Sequence, residues 1–188
     1  MALGVTDLKK GQVFQMDGVP YRVVEYAQKV MGRGGSIVNV KIKSLIDGKV
    51  LDKTFKGNES IAPADVSNRN VQYLYNDGNT FFFMDQANYE QFELPFADYA
   101  ELAGYMKEGD TVQAQFFDER VINIELPKNV PLKVTYTEDV VKGDTTSNVM
   151  KEATVETGII IRVPAFVKTD DIISVDTTTG AYRERVKD

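Results

Sequence analysis

Apolar residues along this chain recur at every second position, in short runs separated by turn signals. In the segment 36–44, Val38, Val40 and Ile42 point one way while Asn39, Lys41 and Lys43 point the other. Val112, Ala114 and Phe116 alternate in the same way with Thr111, Gln113 and Gln115. Ile122, Ile124 and Leu126 repeat the pattern, as do Leu132, Val134 and Tyr136, then Val155, Ile159, Ile161 and Val163 around Thr157. A period of two places one face of each run inward and the other in water, which predicts antiparallel strands closed into small barrels or sandwiches. Asp17-Gly18, Asp47-Gly48 and Asp77-Gly78 lie between such runs, and Asp-Gly readily supplies the positive φ of tight hairpins. One stretch has helical spacing: Phe96, Tyr99, Ala100, Ala103 and Met106 after Pro95 predict a short helix at 96–104.

Two places interrupt the strand pattern. Around Ile61-Ala62-Pro63-Ala64 the composition turns from basic to acidic and aromatic. At Leu126-Pro127-Lys128-Asn129-Val130-Pro131 two prolines stand where a ladder needs N–H donors. The boundaries predict three units, 1–64, 65–126 and 127–188, each small for an independent core and expected to pack on its neighbour.

Composition narrows the chemistry. The 188 residues include no His and no Cys. A Ser-His-Asp triad, a Cys-His pair, a disulfide scaffold and the usual zinc or haem ligand sets are therefore excluded. No side chain here has an ordinary pKa near neutrality, so an enzyme is not the expected reading. The neighbouring carboxylates Glu138-Asp139, Asp118-Glu119 and Asp170-Asp171 point apart in strands and are solvated in turns, so they form no hydrolytic dyad. Phe81-Phe82-Phe83 has the look of a base-stacking platform, but a strand sends only alternate side chains to one face, which favours core packing. No apolar run reaches the ~18 residues of a membrane span, and Met1–Lys10 has no signal-peptide core, so a soluble, cytoplasmic protein without a membrane partner is expected.

The net charge of −6 is unevenly spread. Residues 1–64 carry 10 basic and 6 acidic side chains, residues 65–126 carry 3 and 12, and residues 127–188 carry 9 and 10. Contact with a polyanion is expected at the N-terminal end. There, Gln28-Lys29-Val30-Met31-Gly32-Arg33-Gly34-Gly35 joins two predicted strands. Three glycines leave the arginine unshielded, and its guanidinium is a permanent planar cation. With Lys29, Lys41 and Lys43 on the same hairpin, the segment reads as a basic finger for phosphate contact. The competing reading is a long hairpin whose glycines only satisfy turn geometry.

Taken in order, these segments resemble bacterial translation elongation factor P along essentially the whole chain. The likeness runs through Leu8-Lys9-Lys10-Gly11, Gly32-Arg33-Gly34-Gly35, Val40-Lys41-Ile42-Lys43-Ser44-Leu45 and Thr54-Phe55-Lys56-Gly57. It continues in Val71-Gln72-Tyr73-Leu74-Tyr75 and Phe82-Phe83-Met84-Asp85. It is most specific in Glu152–Gly158, Val163-Pro164-Ala165-Phe166-Val167 and Val175–Val186. The resemblance implies an all-β fold: an SH3-like (KOW-type) barrel, then two OB-fold-type barrels, L-shaped, with one short helix in the middle domain. It implies a factor that binds both ribosomal subunits beside the peptidyl-tRNA and promotes peptide-bond formation at stalled consecutive prolines.

Residue by residue, the family's tip falls on Arg33, flanked by Gly32, Gly34 and Gly35. The loop that reaches the small subunit and codon falls on Gly143, Asp144 and Thr145, while the RNA-backbone contacts of Lys29, Lys41 and Lys43 come from the reading of the hairpin as a basic finger. In an arginine-bearing branch the tip is rhamnosylated by a glycosyltransferase, so Arg33 either carries that sugar or works unmodified; lysine tip chemistry is ruled out by residue identity. No metal or dissociable cofactor is implied, and a monomer is expected. A divergent paralogue or RNA-binding module of the same fold, without general stimulation of peptide bonds, is the alternative.

Overall fold

The computed structural model describes residues 1–32, 35–140 and 149–187. Two compact units make up the chain: residues 1–68 with 114–124, and residues 69–113 with 125–188. Nearly all regular structure is strand, in three sheets that follow one another along the sequence. The first contains β1 (Leu3–Gly4), β2 (Val13–Met16), β3 (Val19–Met31), β4 (Gly35–Ser44), β5 (Val50–Lys56) and β6 (Ser60–Pro63), in the order β1-β6-β2-β3-β4-β5. The second contains β7 (Val66–Asn76), β8 (Thr80–Asp85), β9 (Gln91–Pro95), β10 (Thr111–Phe117) and β11 (Arg120–Glu125), in the order β11-β10-β7-β8-β9. The third contains β12 (Asn129–Thr137), β13 (Met150–Val155), β14 (Ile160–Pro164), β15 (Ile172–Asp176) and β16 (Tyr182–Arg185), in the order β14-β13-β12-β15-β16. Among the described residues no helix is long and apolar enough to cross a membrane.

The three Asp-Gly pairs act in different ways. Asp17 and Gly18 both have positive φ, 52° and 75°, and join β2 to β3 directly, as the right-handed strand twist favours. Asp77 instead accepts from the backbone N–H groups of Asn79 at 2.9 Å and Thr80 at 2.8 Å. Those two donors hold its carboxyl below the usual aspartate range. Asp47 accepts from the N–H of Lys49 in a comparable turn.

Phe14 sits at the centre of the first core, its ring 6.0 Å from those of Tyr21 and Phe55, among Leu8, Val23, Val38, Val40 and Ile42. The second sheet buries Tyr73, Phe81 and Phe83 together. The Phe81-Phe82-Phe83 run divides as strand geometry requires: Phe81 and Phe83 are fully buried, while Phe82 turns outward and stacks on Tyr75 at 4.5 Å. The third core is aliphatic, built from Leu132, Val134, Val155, Val163 and Ile173.

The expected helix at 96–104 is present as a single α turn, α1 (Phe96–Tyr99), which tightens into a 3₁₀ segment at Ala100–Gly104. Its end is crowded. A β-carbon on Gly104 would lie 2.8 Å from Cγ2 of Ile159, and Thr157 Oγ1 donates to the Gly104 carbonyl at 2.7 Å.

Candidate nucleic-acid interface

β3 and β4 form one long hairpin whose partners run from Tyr21 and Ser44 at the base to Met31 and Gly35 at the far end. A bulge between Val23 and Glu25 shifts the register once. β5 lies along β4 only from the pair Lys43–Val50 to the pair Ile37–Lys56. Beyond that level the hairpin continues on two strands, and Gly35 takes a φ of 83° that L side chains rarely adopt.

Cross-strand partners share a face of the sheet. Val38, Val40 and Ile42 are buried, so Ile37, Asn39, Lys41 and Lys43 take the outward face. Their partners extend it. Lys29 and Lys56 flank Ile37, Glu25 and Asp52 flank Lys41, and Arg22 stands opposite Lys43. Five cations thus share one face against two carboxylates, spread along about 20 Å of strand. Lys29, Lys41 and Lys43, singled out from the sequence, come together here.

Arg22 and Lys56 were not legible in the sequence, because their side depends on register across strands and on a bulge. Lys53 shows the same dependence. It pairs with Val40, takes the other side, and sets its ammonium 5.9 Å from the Phe55 ring centre.

The cations are held to different degrees. Lys41 Nζ lies 3.5 Å from the largely exposed Glu25 carboxylate, and a pair this open to solvent is worth ~0–1 kcal/mol. Arg22 donates to Gln115 Oε1 at 3.4 Å, and the same oxygen accepts from Asn123 Nδ2 at 3.3 Å. Among the described residues, Lys29, Lys43 and Lys56 enter no ion pair. A ribbon with cations at strand spacing can follow a row of phosphates. Arg33 and Gly34 at the turn, and Gly143, Asp144 and Thr145 in the third domain, lie outside the described residues.

Family models divide the chain into three successive matches. Residues 4–61 match the elongation factor P KOW-like domain, residues 66–124 its OB domain, and residues 130–185 the elongation factor P C-terminal model. The elongation factor P of Wolinella succinogenes is 42% identical over 187 residues, covering both chains completely. That of Carboxydothermus hydrogenoformans is 40% identical over 184 residues, 98% of this chain and all of the relative. Among solved structures, the eukaryotic translation initiation factor 5A from Methanococcus jannaschii superposes with a TM-score of 0.53 over 66% of this chain and 94% of that one, at 22% identity, a likeness of fold alone.

An all-β chain of KOW-like and OB domains with these relatives is a translation factor. It belongs to the elongation factor P family.

Proposed function

We propose that this factor binds the ribosome beside the peptidyl-tRNA and promotes peptide-bond formation where consecutive prolines stall it. The observation that supports this reading is the outward basic face of β3, β4 and β5, which runs toward a glycine-rich turn carrying Arg33. Lys29, Lys41 and Lys43, with Arg22 and Lys56, pair with RNA phosphates and hold the hairpin against the tRNA. Arg33 then meets the acceptor end with a fork of donors that stays charged at every cellular pH. Proline reacts poorly because its ring locks φ and leaves a secondary amine. The factor contributes by positioning: it lowers the entropic part of a barrier whose chemistry belongs to the ribosome.

The work divides among three domains, 1–64 for tRNA, 65–126 as an acidic spacer directed away from RNA, and 127–188 for the small subunit. In the last, Gly143, Asp144 and Thr145 contact the codon region. Arg33 acts either bare or bearing a rhamnose added by a glycosyltransferase, and the mass of the Arg33 peptide from the native host decides between them.

The test is a reconstituted translation of a Pro-Pro-Pro message. Arg33→Ala should leave the melting temperature unchanged and abolish the stimulation. Full yield with that variant rejects the proposal.

A further inference from the structure

Gly57 follows β5 at the level where the β3–β4 hairpin loses its third strand. It is absent from the glycines with positive φ, so its backbone conformation does not demand glycine. Space does. A β-carbon there would lie 2.8 Å from the Ser36 carbonyl oxygen and 3.1 Å from the Ser36 nitrogen. Both obstacles are main-chain atoms of β4, which cannot rotate aside as a side-chain end would. The turn that brings Gly57 to this spot is itself closed, with Lys56 N–H donating to Glu59 Oε1 at 2.9 Å and Glu59 N–H donating to the Lys56 carbonyl at 2.9 Å.

Ser36 is also held from the opposite strand. Gln28 Nε2 donates to Ser36 Oγ at 3.2 Å, and Tyr26 O–H donates to Gln28 Oε1 at 3.2 Å. Tyr26 packs against the core of the first sheet. One residue, three positions beyond Arg33 in the chain, is thus gripped by backbone contact on one side and by hydrogen bonds leading back to the core on the other.

We propose that Gly57, Gln28 and Ser36 form a brace at the root of the finger and are positioning residues for Arg33. The proposal rests on the reading of Arg33 as the functional tip. A two-stranded ribbon is weakly held by itself and twists readily. Three residues span at most about 10 Å, and over that length a tilt of about 10° displaces the far end by nearly 2 Å. A misplacement of roughly 1 Å is enough to cost up to about 100-fold in a reaction accelerated by positioning.

The absence of cysteine allows a clean measurement, since an Arg33→Cys, Lys49→Cys pair takes spin labels at those two sites alone. In that background, Gly57→Ala should move or broaden the distance distribution by about 2 Å. In the full-length factor with Arg33 retained, Gly57→Ala should lower maximal Pro-Pro-Pro stimulation on the order of tenfold. The half-saturating factor concentration should stay within about twofold, because the phosphate-facing lysines are untouched. Gln28→Ala should move both readouts the same way by less, and it carries the test if Gly57→Ala does not fold. Superimposable distance distributions, or full maximal stimulation with both variants, overturn the brace. If Arg33→Ala keeps full stimulation, the tip reading fails and the brace loses its functional role, whatever the labels report.

Discussion

The first and third sheets are built alike, antiparallel with one face buried, yet they use charge in opposite ways. On the outward face of β3, β4 and β5, only Lys41 has a carboxylate partner, and Lys29, Lys43 and Lys56 have none among the described residues. Around the third sheet three cations are engaged. Arg183 binds the buried Asp176, Arg185 lies 3.6 Å from Asp171 and over the Phe166 ring, and Lys133 lies 3.0 Å from Asp170. Counting charges by segment hides this difference. An unpaired cation at fixed spacing keeps its field for a partner, whereas a paired one spends it within the fold. The two sheets should therefore respond oppositely to mutation, the first through binding and the third through stability.

The largest separation is expected from charge reversal on the first sheet. Lys29→Glu with Lys43→Glu should weaken ribosome binding by at least about tenfold and flatten the dependence of log affinity on log salt by about two. Its melting temperature should stay put, since among the described residues neither lysine has an ion-pair partner to lose. Glu90→Lys with Glu93→Lys in the acidic segment should change affinity by less than about threefold. Equal losses from both pairs would erase the distinction. Lys41 is a poorer probe, because reversal would set three carboxylates in one cross-strand row with Glu25 and Asp52.

A smaller effect, of the opposite kind, is expected in the third sheet. Arg183 beside Asp176, helped by the N–H groups of Thr178 and Thr179, pulls that carboxyl down to about 2 from its usual 3.8. The folded-state value is depressed, so the stabilisation is present above the unfolded pKa near 4 and fades as pH falls toward 2. Melting of Asp176→Asn should lie below that of the parent at pH 6. The gap should close between pH 4 and 2, and a gap independent of pH would show that the charge is not what stabilises the turn. Ribosome affinity at neutral pH should barely change.

The smallest effect sharpens the contrast from within the first sheet. Glu25→Gln frees Lys41 and should raise ribosome affinity by about twofold, in keeping with a solvent-exposed pair. A drop in affinity would mean that Glu25 itself meets the partner.

Much of the fold can be read from residue pattern alone. Alternation in 36–44 puts Val38, Val40 and Ile42 inside, and the same rule splits Phe81 and Phe83 from Phe82. Pleating acts over neighbouring residues and needs no knowledge of the partner strand. The helix was legible in place but not in kind, since Gly104 ends it against Ile159, a residue 55 positions away.

The candidate interface was half legible. Lys41 and Lys43 show their face through their own strand's period. Arg22 and Lys56 do not, because a bulge and a neighbouring strand's register decide where they point. Gly57 stands in the sequence only as part of the Thr54–Gly57 likeness and of a turn, and neither tells that its missing β-carbon makes room for the β4 backbone at Ser36.

The amino-acid order thus determined which residues face inward, where the chain turns, and that its N-terminal part carries the excess of positive charge, because each follows from local geometry and composition. Only the tertiary structure decided which cations stand side by side, which are neutralised, and which glycine has no room for a methyl group. Those depend on distances between segments remote in sequence, set by packing and strand register rather than by any residue's own preference.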